Sequence, residues 1–410
     1  FVVDTHNDIL LRSMIGRDIL TDLSESHSDL VKFKKGGMDL QVFSIWVSPY
    51  MFTKDESFEE ANEMITQLEY LCSRVPDQWS IPMNYQDIIY NEQHDILSCM
   101  IGVEGGHAIE NDLSKLNALY DRGMRYLGIT WNNSTDWATS AKDETERGDS
   151  LAFKGLTGFG KDVIRRCNEL GVMVDISHAG EQTFWDIIDV SVRPIIASHS
   201  SVYKICPHFR NLKDEQLLAI KENGGVVFVN FYPTYLDSTF EKKAEIIKDS
   251  LQLKMDSLAA VYDPDGNEYW YAESQLLNPV LQKFSPPVDK IIDHISYIIN
   301  LIGIDHVGLG ADWDGVEILP SGMENVTKLP TLTEKLLQRG YSKKEVQKAY
   351  KWLKDNNIKF DVIYSGRWGV NDKYKPKNPN HYLSSKSRDK YYDKWKKCRC
   401  WNCSCYLKNR

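Results

Sequence analysis

Residues 1–10, Phe1-Val2-Val3-Asp4-Thr5-His6-Asn7-Asp8-Ile9-Leu10, run from an apolar triplet straight into a polar cluster. The first five read as a short buried strand. Residues two apart in a strand leave on the same face, so His6 and Asp8 emerge together at its end, an imidazole beside a carboxylate. That pair is half of a site for a divalent metal. One His-x-Asp carries little weight, because a surface turn can hold the same two residues. Its weight comes from the other strands, which end in the same way.

Working outward, short apolar runs alternate with helical patterns. Strands are expected at 1–5, 40–47, 98–103, 125–130, 172–176, 194–198, 225–231 and 306–311. Helices are expected between them, at 56–74, 111–122, 159–170, 181–190, 213–223, 286–302 and 332–353. Eight strands alternating with helices predict an α/β fold, a (β/α)8 TIM-type barrel. The runs are apolar throughout, as expected of parallel strands buried on both faces. The segment 236–285 is long for one connection and holds the turn signal Asp263-Pro264-Asp265-Gly266. An excursion of that length at the C-terminal end of a strand is expected to be a lid or a substrate-shaping loop.

The chain has 410 residues, 42% hydrophobic and 26% charged, enough for one large α/β barrel or two medium domains. No apolar run approaches the ~18 residues of a membrane helix. The chain begins at Phe1, inside the first strand, so the absence of an export signal decides nothing. The net charge of −9 is unevenly spread: residues 342–410 hold 19 Lys/Arg and 6 Asp/Glu, which leaves 30 basic and 52 acidic residues in the body. An acidic body argues against broad nucleic-acid binding. Eight cysteines in a chain this long do not describe a small disulfide scaffold.

Catalytic residues of such barrels sit at the C-terminal ends of the strands. The first strand ends in His6 and Asp8, the third in Glu104-Gly105-Gly106, the fifth in Asp175-Ile176-Ser177-His178. The sixth ends in Ser198-His199, the eighth in Asp312-Trp313-Asp314-Gly315. Three histidines and several carboxylates at strand ends are hard to read as satisfied core polar groups. His6, Asp8, Glu104, His178 and His199 exceed the three protein ligands of a usual single catalytic zinc, so two metals are expected. Glu104 is the natural bridge, and the glycine pair after it is expected to let the backbone approach the metals. Imidazole with carboxylate suits zinc, with manganese or cobalt as alternatives.

These motifs, with GVEGGH, DISHAG, ASHSSVYKICPHFRN, VVFVNFYPTY and GLGADWDG, resemble the membrane dipeptidase (renal dipeptidase) family of the amidohydrolase superfamily, over about residues 1–348. The resemblance implies a binuclear zinc dipeptidase working through a metal-bridging hydroxide. His6 and Asp8 would hold one ion, His178 and His199 the other, with Glu104 between them. It implies that Arg210 binds the terminal carboxylate of a dipeptide, that Tyr235 lines the substrate site, and that Asp312 handles protons. Guanidinium and carboxylate match bidentately. One departure stands out: the position of a family histidine that contacts the scissile group is Trp131, whose indole is a donor and no base. Another amidohydrolase-type reaction, on a lactam or an N-acyl amino acid, shares the need for Arg210, and a binding protein without turnover is a third reading. A homodimer is left open, and an exported location is slightly favoured over a cytoplasmic one.

Other polar residues near the motifs have plainer readings. His107 is expected to be structural and His208 a loop residue. Asp314 either orients neighbouring groups or caps the next turn of the chain, and nothing marks Cys206 as a nucleophile. The catalytic barrel is assigned to 1–348, and 349–410 to a basic extension outside it. That extension ends in Cys398-x-Cys400-x-x-Cys403-x-Cys405, a cluster able to bind a soft metal but without the two separated hooks of a structural zinc.

Overall fold

The computed structural model describes residues 1–262 and 267–347. Eight parallel strands form its centre: β1 (Val3–Asp4), β2 (Leu40–Trp46), β3 (Leu97–Glu104), β4 (Met124–Gly128), β5 (Met173–Asp175), β6 (Ile196–Ala197), β7 (Val226–Val229) and β8 (Val307–Leu309). Each pairs with its sequence neighbour, and a two-residue strand, Trp79–Ser80, lies against β3. Every expected strand is present, most of them shorter than the apolar run that announced it.

Alternation along the strands builds two cores. Leu40 and Val42 of β2 and Val226 and Phe228 of β7 point into the barrel, with Met100, Tyr126, Met173 and Ile196. Phe43 and Ile45, Val227 and Val229 point outward to the helices, so both faces of each strand are apolar, as a parallel sheet requires. Helix Asp289–Ile302 shows the matching pattern: Ile291, Ile295, Ile298 and Ile302 lie on one buried stripe. Helix Gly158–Leu170 starts where Thr157 accepts from the Gly160 amide, and stops at the left-handed Gly171.

The seam between β8 and β1 closes the barrel. The Thr5 amide donates to Leu309 O at 3.1 Å and the Asp8 amide to Trp313 O at 2.8 Å. Two buried carboxylates reinforce it. Asp4 accepts from Gln41 Nε2 at 2.8 Å on β2 and from the Ala311 amide at 2.7 Å beyond β8; burial pushes its carboxyl up to about 6. Asp314 accepts from Arg12 Nε at 2.9 Å, the His27 and Ser28 amides at 3.1 and 3.0 Å, and Ser28 Oγ at 2.8 Å.

Two expectations need correction or filling in. The single helix expected at 332–353 is broken: Leu329–Gln338 ends before Gly340, whose φ is +100°, and a new helix starts at 343. Ser342 caps it, with its amide donating to Glu345 Oε2 at 2.7 Å and its hydroxyl accepting from the Glu345 amide at 3.3 Å. The Gly-Tyr-Ser sequence carried that break. The 236–285 excursion is helical, with Phe240–Ser250, Gln252–Ala259 and Asn267–Leu281; its expected turn at 263–266 lies outside the described residues. So do the basic extension at 349–410 and its cysteine cluster. No helix among the described residues is long and apolar enough to cross a membrane.

Asp314→Ala would strip the seam of four hydrogen bonds and leave Arg12 and the 27–28 turn without their acceptor. Breaking a buried charged pair from one side costs about 3–5 kcal/mol. Urea unfolding should show a loss of that order, and a loss below about 1 kcal/mol would mean that the seam does not depend on this carboxylate.

Candidate metal centre

The strand ends converge as the pattern of the chain implies. His6 and Asp8 leave β1, Glu104 ends β3, and His178, His199 and Asp312 follow β5, β6 and β8. The first five are buried, and all but His6 line one cavity with Asp312, Arg210, Tyr235 and Trp131. Glu104 sits in the middle. Its Oε1 lies 3.1 Å from His178 Nε2 and 3.4 Å from His199 Nε2, and its Oε2 lies 3.3 Å from His6 Nε2. His6 Nε2 is also 3.5 Å from Asp8 Oδ2. His6, Glu104 and His199 form one group of mutually close ligand atoms, and His6, Asp8 and Asp312 another. His178 and Asp312 hold left-handed backbone, φ +67° and +64°. Such strain costs about 1–3 kcal/mol each, and it survives where the surroundings over-determine it.

Each imidazole is held by its far nitrogen. His178 Nδ1 faces Asn132 Oδ1 at 2.9 Å, His199 Nδ1 faces Ser198 Oγ at 2.8 Å, and His6 Nδ1 faces the Tyr126 hydroxyl at 2.8 Å. Ser198 Oγ donates to Asp175 Oδ2 at 2.6 Å, so toward His199 it acts as the acceptor. His178 and His199 therefore carry their protons on Nδ1 and turn Nε2 lone pairs inward. The two Nε2 atoms are 3.0 Å apart. Burial, with Arg210 acting the same way, pulls His178 down to about 3; burial and His6 hold His199 well below its ordinary value. Burial alone would raise Glu104, but the charge of His6 and the close approach of the His178 and His199 rings outweigh it and hold the carboxyl well below its ordinary range. Burial, with Asp8 and Glu104 adding, raises Asp312 to about 7.

This donor set fits a divalent metal. Two neutral imidazoles aim lone pairs at one spot beside an ionised carboxylate, and His6 Nε2 is buried without a hydrogen-bond partner. Such an arrangement is costly as a hydrogen-bond network and suits an ion with N and O ligands.

The substrate-side residues expected from the sequence are present too. Arg210 is 4% exposed; its Nη2 donates to His199 O at 3.2 Å, and its Nε has no partner. Its guanidinium lies 5.6 Å from the Tyr235 ring. Trp131 packs on Trp46, with ring centres 5.0 Å apart, and stands 6.2 Å from the His178 ring. Of the residues with plainer readings, His107 turns its Nε2 to Val47 O at 2.8 Å, and Cys206 is pushed up to about 11 by burial. His208 accepts from the Arg210 amide at 3.1 Å through Nδ1. A Cβ at Gly105, whose φ is +98°, would overlap His107 and one at Gly106 would overlap Trp137, so packing requires both glycines. The roles of Asn132, Ser198 and Tyr126 as partners of the histidines, and of Asn230 as partner of Asp312, escaped the sequence reading. Asn230 Nδ2 donates to Asp312 Oδ2 at 3.0 Å. Only the strand-end position of Asn132, Ser198 and Asn230 could have flagged them.

A Cβ on Gly315 would overlap both Asp8 Oδ2 and Asp312 Oδ1. Gly315→Ala should therefore spread the two carboxylates and weaken zinc binding ~10–100-fold in chelator competition, the usual worth of a displaced supporting group. The metal-free melting temperature should stay near that of the parent. Unchanged zinc affinity would remove Asp8 from the metal centre.

A family model described as membrane dipeptidase (Peptidase family M19) matches residues 1–359. An uncharacterized dipeptidase of Schizosaccharomyces pombe is 30% identical over 358 residues, covering 82% of this chain and 74% of the relative. Dipeptidase 3 of Mus musculus is 30% identical over 352 residues, covering 84% of this chain and 61% of the relative, so the chain spans less than two thirds of that protein. A solved metallopeptidase from Rhodobacter sphaeroides, liganded with a phosphinate mimic of the dipeptide L-Ala-D-Ala, superposes with a TM-score of 0.69 at 25% identity, over 85% of this chain and 95% of the other. The chain thus belongs to the membrane dipeptidase family, Peptidase family M19, and is a metal-dependent peptide-bond hydrolase.

Proposed function

We propose that the protein is a binuclear zinc dipeptidase that acts on dipeptides with a free C-terminal carboxylate. The observation that carries this reading is Arg210. A guanidinium 4% exposed lines the same cavity as Asp8, Glu104, His178 and His199, and among the described residues no carboxylate pairs with it. A buried charge without a counter-ion is expensive, and a substrate carboxylate meets that need with a bidentate fork.

In this reading, His6 and Asp8 would hold one zinc and His178 and His199 the other, with Glu104 contributing to both. When bound, the ions would supply an activated water and polarise the scissile carbonyl. Arg210 grips the terminal carboxylate, and the ring of Tyr235 beneath the guanidinium fixes its direction. Trp131 and Trp46 form an apolar wall of the cavity beside His178. Asp312, raised to about 7 and oriented by Asn230, takes a proton from the attacking water and delivers it to the leaving nitrogen. The C–N bond breaks, the carboxyl group formed stays with the N-terminal residue and gives its remaining proton to solvent, and the amine leaves neutral.

Two experiments test this. Arg210→Lys keeps the charge and loses the fork, so kcat/KM for a free dipeptide should fall by at least ~10-fold. Amidating the substrate's C-terminus should cost the parent heavily and the variant little; equal losses in both would exclude Arg210 as the partner. Asp312→Asn should keep zinc, measured by elemental analysis at two ions per chain in both proteins, while kcat falls ~10²–10⁴-fold. Near-parental turnover would remove Asp312 from proton transfer, and one ion or none in the zinc-loaded parent would defeat the two-zinc reading.

A further inference from the structure

Strand β4 carries a register break with a consequence at the metal centre. Ile101 of β3 faces Met124, but the next residue, Gly102, faces Tyr126, so Arg125 is skipped by a bulge. Without it, Gly102 would face Arg125. The bulge keeps Met124 in the outer core and brings Tyr126 into the barrel interior; re-aiming one side chain is what bulges near active sites do. Arg125 instead turns its guanidinium to the carbonyls of Met83 and Met124, at 2.7 and 2.9 Å.

Tyr126 then fills space that only a glycine leaves open. A Cβ on Gly102 would overlap the Tyr126 ring. The ring is fully buried among Val42, Met100, Met173 and Phe228, and its hydroxyl comes up from below to His6 Nδ1, 2.8 Å away. A phenol in an apolar interior normally finds a partner, and here the partner is the imidazole whose other nitrogen points at Asp8 and Glu104.

We propose that Tyr126 is a positioning residue for metal binding: through the gap at Gly102 its hydroxyl accepts from His6 Nδ1–H and holds Nε2 toward the ion shared with Asp8. This rests on the reading of His6 as a ligand. An imidazole that gives its Nε2 lone pair to a metal keeps its proton on Nδ1, and the outer partner of that proton sets ring orientation and basicity. His178 and His199 receive the same service from Asn132 and Ser198 at the strand ends. His6 alone receives it from inside the barrel.

The test is Tyr126→Phe in the full chain, titrated with zinc against a chelator and followed by the visible spectrum after cobalt substitution. The parent's stoichiometry reads the ligand assignment; the ratio of variant to parent reads Tyr126. One ion should bind ~10–100-fold more weakly, with the other unchanged and an altered cobalt band. The metal-free melting temperature should not fall, because the phenyl ring fills the same space; a purely structural role would lower it instead. Gly102→Ala, which displaces the ring, should reproduce the affinity loss together with lower thermal stability. Equal affinities for both ions in Tyr126→Phe and the parent would overturn the proposal.

Discussion

Burying the Glu104 carboxylate is the constraint on which the centre depends. A carboxylate taken out of water costs several kcal/mol unless charge and hydrogen bonds meet it. Three imidazoles from three different strands face its two oxygens within 3.4 Å, and Ser44 Oγ stands 3.4 Å from Oε2. Because each imidazole is tethered by its other nitrogen, none can swing away to relieve crowding between His178 and His199. The centre is thus held in an arrangement that its own hydrogen bonds satisfy poorly and that suits a divalent metal. The left-handed backbone at His178 and Asp312 is part of the same cost.

The barrel bears that cost through polar stitches at the C-terminal rim. Asp4 ties β1 to β2 and to the segment after β8; Asp175 ties β5 to β6 through the Ser198 amide and hydroxyl. Strands of two or three residues, such as β1, β5 and β6, have few ladder hydrogen bonds of their own, so side-chain acceptors do much of the joining. The same groups serve both ends: Asp175 holds Ser198, and Ser198 sets the tautomer of His199. Stability of the rim and geometry of the site are therefore coupled, and a substitution at Asp175 or Asp4 would disturb both.

Around this rigid floor, the cavity walls differ in chemistry. Arg210 and Tyr235 give one side that is cationic and aromatic; Trp46 and Trp131 give another that is apolar. The helices of the 236–285 excursion stand near the first side, where Tyr232 and Tyr235 line both the metal cavity and the cleft reaching Phe240 and Leu277. Indole at position 131 gives the cavity a packing surface between Trp46 and His178.

The chain itself determined the barrel and the ligand list, because both are written locally. An apolar run that ends abruptly in His, Asp or Glu encodes strand, burial and strand end within a few neighbouring residues, and eight such runs admit one closed parallel architecture. Arg210 was expected only through the family resemblance that its HFRN stretch carries. Beyond the reach of the sequence lay the partners of the ligands. Tyr126 reads as one aromatic in an apolar strand, and its inward direction comes from a bulge opposite Gly102, 24 positions earlier in the chain. The role of the Gly105–Gly106 pair depends on His107 and on the distant Trp137. Tertiary structure decided which nitrogen of each histidine faces the centre, since that choice belongs to acceptors that folding brings from other strands.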